Sequence, residues 1–184
     1  MKRKSKLTKD SALAFLREHQ PMPDTNLVDC EELIEEWARV CEYFTKHPCL
    51  ESVPLFLGSF GGGDGYEMYQ AFGDMIEEYN PEDVLPYFID ALNSPSLPIR
   101  EQAAEASLAI KTKNTEFIDA LFLKIEDHDE EDSVREWCAL ALCLRASFED
   151  IDPNEYEKKI QSILERENNQ KVAEELNRIL DMIK

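Results

Sequence analysis

One sequence pattern returns three times in this chain and constrains how the chain can fold. Its copies read IREQAA from Ile99, VREWCA from Val134 and VAEEL from Val172, at spacings of 35 and 38 residues. Each copy opens with a β-branched residue and continues with small or apolar residues, where a neighbouring helix must approach closely. One helix pair cannot bury its own apolar face, so the copies are predicted to stack on one another.

The charge of the chain is strongly acidic and unevenly placed. The sequence has 39 acids and 20 bases, a net charge of −19, and five of those bases lie in the first ten residues. Residues 11–184 carry 15 bases and 38 acids, a net charge of −23. Phosphate backbones are bound by Lys and Arg that displace counterions, so nucleic acid is not an expected partner. A basic protein is.

Targeting signals and membrane spans are not predicted. After the basic start, the apolar run Ala12 to Leu16 is too short for the core of a signal peptide. The longest apolar run, Trp137 to Leu144, has eight residues and falls far short of the ~20 that span a bilayer. Five cysteines without a CxxC pair favour reduced thiols. We therefore expect a soluble, cytoplasmic protein.

Apolar residues recur at helical spacing along most of the chain, and no segment alternates with a period of two. The sequence therefore predicts an all-α fold. A short helix begins at Asp10 or Ser11, and the clearest amphipathic helix spans residues 27–46. Beyond residue 48 the helices are predicted in pairs, at residues 50–59 and 66–79, 82–93 and 97–111, 115–126 and 133–147, and 153–166 and 169–183.

Two copies of the pattern share a fuller signature, Val/Ile-Arg-x-x-Ala-Ala-x-Ala-Leu. It is carried by Ile99, Arg100, Ala103, Ala104, Ala106 and Leu108, and by Val134, Arg135, Cys138, Ala139, Ala141 and Leu142. This signature resembles HEAT repeats, in the short-period, PBS-lyase-like variety of small bacterial proteins. The resemblance implies an α-solenoid of HEAT-like helical hairpins, an α-α superhelix. It also implies that Arg100 and Arg135 each bond an acid of the adjacent repeat.

This resemblance divides the chain into three parts of one predicted domain over residues 1–184. N-terminal helices occupy residues 1–48, HEAT-like repeats residues 50–147, and a C-terminal capping repeat residues 153–184. The last part matches weakly, because Ala173 stands where the repeat has its arginine.

The glycine-rich stretch from Phe60 to Tyr66 precedes a predicted helix. It resembles a joint in small bacterial HEAT-repeat proteins, some of which resemble immunity proteins of toxin systems. A phosphate-binding loop is not expected, because no Lys-Ser/Thr pair follows and Asp64 would repel an anion. We expect Asp64 to cap the next helix while the glycines permit a tight joint.

No catalytic, metal or cofactor site is predicted. The three histidines, His19, His47 and His128, are far apart in the predicted stack, and none is flanked by a pattern that would orient it against a nucleophile. The acidic run at residues 127–132 could hold a hard cation but lacks the spacing of an EF-hand loop. A solvated loop between helices is the expected alternative.

Aligning the second helices of the pairs predicts a recognition surface. One aligned position holds Tyr69, Gln102, Trp137 and Glu175, and another holds Phe72, Glu105, Leu140 and Arg178. Such positions can face the concave side of a HEAT-like stack, where exposed aromatics among acids would form a binding patch. The alternative is that Phe72 and Leu140 only widen the buried stripe. The predicted partner-binding residues are Tyr69, Phe72, Gln102, Glu105, Trp137 and Leu140.

These observations predict a non-enzymatic protein that binds a basic protein partner on its concave face. The resemblance adds one specific form of this function, an immunity protein that neutralises a toxin, since acids can occupy the field of a nuclease site. Recognition by the joint at Gly61 to Gly65 is an open alternative. So is an enzyme or enzyme accessory such as a bilin-lyase-like protein, because HEAT-like repeats also occur in bilin lyases. They occur in certain DNA glycosylases too, but that function needs a basic concave face, which this chain lacks.

Overall fold

The all-α prediction is confirmed by the computed structural model of the protein, which describes residues 6–148 and 151–182. Over these residues the chain forms ten α-helices, two 3-10 helices and no strand. The 3-10 helices are Gly65–Gln70 and Ser107–Ala109. The α-helices are α1 (Lys9–Glu18), α2 (Glu31–Lys46), α3 (Ser52–Ser59), α4 (Ala71–Ile76), α5 (Pro81–Leu92), α6 (Leu97–Ala106), α7 (Thr115–Glu126), α8 (Asp132–Ser147), α9 (Pro153–Leu164) and α10 (Gln170–Asp181).

Several helices begin at a residue whose side chain caps them. Thr8 caps α1, so this helix starts slightly earlier than predicted, and Ser11 Oγ in turn accepts from Thr8 N at 2.9 Å. The helices α7, α9 and α10 are capped by Asn114, Asp152 and Asn169, whose side chains accept from backbone N–H groups of the first turn. Local sequence thus sets these boundaries, which lie within a few residues of the predicted ones.

Three predicted helices differ from the observed ones. The helix expected at residues 97–111 ends at Ala106 and is followed by the 3-10 helix Ser107–Ala109. The helix expected at residues 27–46 starts only at Glu31, because Leu27 and Val28 both donate to the Asp24 carbonyl in a turn, at 3.1 Å each. The helix expected at residues 66–79 is divided into the 3-10 helix and α4. Tyr66 and Glu67 have φ angles of 51° and 65°, which are left-handed and cannot belong to a right-handed helix.

The chain divides into two compact units between Tyr87 and Phe88. The core of the first unit is an aromatic cluster centred on Trp37, which is completely buried and donates from Nε1 to Ser59 Oγ at 2.7 Å. The Trp37 ring meets Phe56 and Tyr69 edge-on, with ring centroids 5.2 and 5.0 Å apart. Such edge-to-face pairs stabilise a core beyond the area that they bury.

The glycine-rich joint of the first unit lies directly on the loop that follows α1. A β-carbon on Gly61 would lie 2.2 Å from the Met22 carbonyl oxygen, and one on Gly62 would lie 2.2 Å from Asp24 Oδ2. Both distances are shorter than a van der Waals contact. At Gly61 the neighbouring atoms are backbone atoms that cannot move aside, so this position requires glycine for close backbone approach, whereas at Gly62 the neighbour is the Asp24 side chain. The Asp64 side chain accepts from Tyr66 N at 2.9 Å, which confirms the expected cap.

We expect Gly61→Ala to lower the free energy of unfolding by about 1–3 kcal/mol, because the added methyl group overlaps rigid backbone atoms. Gly73 in α4 is the matched control, since a β-carbon there meets nothing within 4 Å. Gly73→Ala should raise the free energy of unfolding by about 1 kcal/mol through helix propensity. Urea unfolding curves of both variants measure the two effects. Equal stability of the two variants would contradict the close-approach argument.

The second unit is built around α8, which packs against α6, α7 and α10. α9 packs against α10. Ala103 and Ala104 of α6 and Ala139 of α8 are completely buried, and their small side chains let the helices approach closely. None of the described helices combines the length and the apolar composition that crossing a lipid bilayer requires.

Candidate partner-binding face

The predicted arginine pairs hold the helices of the second unit in register. Arg100 of α6 donates from Nε to Glu130 Oε1 at 2.9 Å, and Glu130 lies on the loop just before α8. Lys124 adds a second cation 3.4 Å from Glu130. Burial alone would raise the pKa of Glu130, but these cations and the hydrogen bond from Arg100 hold it below its ordinary value.

Arg135 repeats this arrangement one copy later. Its guanidinium donates to the Ile125 carbonyl from Nε at 3.1 Å and from Nη2 at 3.0 Å, and it pairs with Glu167 just before α10. Both side chains of the ion pair are buried. The prediction that each arginine bonds an acid beyond its own helix pair is confirmed for both residues.

A second set of contacts repeats beside the arginine pairs. Glu101 of α6 accepts a hydrogen bond from Ser133 at the start of α8. Glu136, which follows Arg135 as Glu101 follows Arg100, accepts from Lys171 of α10 at 2.8 Å. Matched positions in consecutive copies therefore make matched contacts, and they place the exposed positions of α6, α8 and α10 in register.

One side of α8 is left partly exposed by its neighbours. Between Val134 and Ala146 of this fully described helix, only Glu136, Trp137, Leu140 and Leu144 are not buried. Glu136 and Trp137 are adjacent, and Leu140 and Leu144 follow after three and four residues, so the four lie in a single stripe along the helix. Three of the four side chains in this stripe are apolar.

The helices packed against α8 add polar groups at the aligned positions. Gln102 and Glu105 of α6 and Glu175 of α10 are partly exposed, and Arg178 of α10 is exposed. α10 packs against α8, and burial, together with the nearby Glu175 carboxylate, raises the pKa of the Cys143 thiol on α8 to about 11. We name this surface the α8 face: Gln102, Glu105, Trp137, Leu140, Leu144 and Glu175.

Two of the predicted partner-binding residues, Tyr69 and Phe72, belong to the first unit and are not part of the α8 face. Tyr69 and Phe72 are 3% and 1% exposed, and the Tyr69 hydroxyl accepts from Gly61 N at 3.3 Å. The left-handed residues Tyr66 and Glu67 and the 3-10 helix break the helical register that the alignment assumed. Both rings therefore belong to the aromatic core, and a partner could contact them only after this core opens.

Leu144 is the member of the α8 face that the alignment missed. It lies seven residues after Trp137, and this spacing returns to the same side of a helix. The periodicity of α8 by itself contained this signal, but the fully apolar run from Trp137 to Leu144 does not show which of its residues face outward.

Electrostatics distinguish Glu105 from an ordinary surface acid. Its partial burial raises the pKa of the carboxyl, and the nearby charge of Glu101 adds to this, while a hydrogen bond from Gln102 acts in the opposite direction. Glu175 is compensated by Arg178, whose Nη1 lies 2.8 Å from Oε1. The α8 face therefore holds a carboxylate that a cation from outside would stabilise.

We expect Glu105→Gln to raise the free energy of unfolding at neutral pH, where the raised pKa means that the charged carboxylate is costly in the folded state. As the pH falls through this raised pKa, Glu105 takes up a proton and the cost disappears. Variant and wild type should therefore converge below the ordinary value of 4.5. Urea unfolding at neutral and acidic pH tests this. A constant difference between the proteins would count against it.

The described residues contain no group of three or more His, Cys, Asp or Glu side chains arranged to hold a metal ion. In the acidic run at residues 127–132, Glu130 forms an ion pair with Arg100, and Asp127 Oδ1 accepts from Asp129 N at 3.0 Å.

No family model matches the chain, and no curated protein is significantly similar to it. Function is therefore inferred from the side chains that the protein presents.

Proposed function

We propose that this chain is a non-enzymatic HEAT-like repeat protein that binds a basic protein partner through the α8 face. The observation that carries the proposal is the partly exposed apolar stripe of Trp137, Leu140 and Leu144 on α8. The helices α6 and α10, which pack against α8, carry the partly exposed Glu105 and Glu175. An apolar centre with a polar rim is the anatomy of a protein interface, and tryptophan is enriched among the residues that dominate binding.

The repeated contacts support the proposed α-solenoid. Arg100 and Arg135 pair with acids 30 and 32 residues further along the chain, and Glu101 and Glu136 bond the starts of the next second helices. A stack in which each copy contacts its neighbour in the same way presents aligned side chains on one surface. The α8 face would be part of the concave surface of that stack.

The charge of the chain supports a basic partner. Residues 11–184 carry a net charge of −23, which accelerates association with a positive protein and disfavours acidic ones. A basic toxin that this protein neutralises is one partner of that chemistry. All five cysteines are free thiols, which supports a reducing compartment such as the cytoplasm.

Affinity capture with three baits tests the proposal: the wild type, Trp137→Ala and Leu123→Ala. Leu123 is the matched control, because it is an exposed apolar residue on α7, outside the α8 face. We expect the wild type and Leu123→Ala to retain the same basic protein and Trp137→Ala to lose it. With purified partner, Trp137→Ala should weaken binding by about 2 kcal/mol or more, roughly thirtyfold.

Circular dichroism and thermal melting separate lost binding from lost folding. The Trp137→Ala protein should keep its helical signal and most of its melting temperature, because the side chain is only partly buried. Unchanged affinity of this variant would refute the role of the α8 face. So would a retained protein that is not basic, or a loss of binding that follows unfolding.

A further inference from the structure

Two loops of the first unit are joined into one surface. The loop between α1 and α2 at residues 22–30 meets the loop between α3 and α4 at residues 60–67; we call them the loop pair. Thr25 N donates to the Gly62 carbonyl at 2.9 Å, and Gly65 N donates to Thr25 Oγ1 at 3.3 Å. The Tyr66 hydroxyl accepts from Cys30 N at 3.4 Å. These bonds fix each loop against the other.

The backbone of the loop pair adopts conformations that are costly in isolation. Tyr66 and Glu67 are left-handed, at φ angles of 51° and 65°, and the neighbouring Gly63 and Gly65 are left-handed as well. Residues other than glycine persist in this region only where the surroundings determine their conformation. The loop pair is therefore a defined surface, held by its own packing.

At its outer edge the loop pair presents two aliphatic side chains to solvent. Leu27 is 81% exposed, the most among the large hydrophobic residues that the structure describes, and the adjacent Val28 is 54% exposed. The turn in which both N–H groups donate to the Asp24 carbonyl projects them outward together. Together they form a small exposed apolar patch on a fixed turn.

The segments that carry and contact these two side chains are rich in acids. The sequence has no lysine or arginine at residues 18–38 or 47–99. Elsewhere in the first unit, Glu36, Glu42 and Glu51 are paired with bases. Within the described part of the chain, no lysine or arginine forms an ion pair with the acids of the loop pair and of the first turn of α2. These acids are Asp24, Asp29, Glu31, Glu32, Asp64 and Glu67.

We propose that the loop pair is a second docking surface, for a basic protein segment whose aliphatic side chains cover Leu27 and Val28. Charge complementarity selects this occupant. A second copy of the chain would bring two sets of six carboxylates together, whereas lysines on a bound segment would neutralise them. The surface belongs to the other unit and does not depend on the α8 face.

A pair of synthetic peptides tests this surface by NMR titration of the labelled full chain. One peptide alternates lysine and leucine, and the other has the same charge but alternates lysine and serine. The leucine peptide should shift the amide signals of residues 24–30 and 60–67. The double variant Leu27→Ser/Val28→Ser should weaken its binding by about tenfold or more, because the aliphatic contact is lost. Binding of the serine peptide should be weak and equal for both proteins.

Two control variants make the result specific. Leu123→Ser makes the same substitution at an exposed leucine of the second unit, and it should leave the leucine peptide bound. Trp137→Ala should also leave it bound, so that failure of the α8 face and failure of the loop pair are distinguished. Equal affinity for the two peptides, unshifted signals at residues 24–30 and 60–67, or undiminished binding to the double variant would each overturn the proposal.

Discussion

Arg135→Ala is expected to lower the free energy of unfolding by about 3–5 kcal/mol. The Arg135 side chain is 5% exposed and its partner Glu167 is 1% exposed, so removal of the guanidinium leaves a buried carboxylate without its cation. The Ile125 carbonyl also loses two donors, from Nε and Nη2. A buried acceptor that is left unsatisfied adds its own desolvation cost.

Urea unfolding measures this loss, with Lys171→Ala as the control. Lys171 also makes a 2.8 Å ion pair across helices, but its side chain is 73% exposed, and such pairs contribute about 0–1 kcal/mol. Removal of Glu167 together with Arg135 should recover part of the loss, because no unpaired charge then remains buried. Equal losses of unfolding free energy in Arg135→Ala and Lys171→Ala would show that burial of the Arg135–Glu167 pair does not increase its contribution to stability.

Trp37→Ala should have a comparable effect on the first unit, about 3–5 kcal/mol. The indole is completely buried, and its truncation opens a cavity among Phe56, Phe60 and Tyr69. The Ser59 hydroxyl simultaneously loses the donor that lies 2.7 Å away. The surrounding rings cannot fill this space without leaving their edge-to-face arrangement.

The second tryptophan of the chain supplies the comparison. Trp137 is only partly buried, so Trp137→Ala should cost less unfolding free energy than Trp37→Ala. In each single variant the remaining indole is the only tryptophan fluorophore, and the emission of Trp37 should lie at shorter wavelength than that of Trp137. Equal stability losses for the two variants would contradict the different environments of these residues.

Helix positions could be predicted from the sequence because their causes are local. The pairs at residues 115–126 and 133–147 agree with α7 and α8 to within one residue, since apolar periodicity and capping residues act within a few turns. The arginine pairs of the second unit were predictable too, because Arg100 and Arg135 recur at the same place in similar copies. Because the two arginines occupy equivalent positions, each pairs with an acid just before the second helix of the next pair, Glu130 for Arg100 and Glu167 for Arg135.

The candidate surfaces depended on contacts between segments that are distant in the chain. Tyr69 aligned with Trp137 by spacing, but the left-handed turn at Tyr66 rotated it into the core, and no local pattern required that turn. Leu27 was predicted to lie in a helix and is instead held outward by the loop pair.

The sequence by itself therefore determined the helices, the repeat and the charge of this protein. Only the tertiary structure decided which aromatic and aliphatic side chains are exposed. The physical reason is that helix formation depends on neighbours within a few residues, whereas exposure depends on every segment that packs against a side chain.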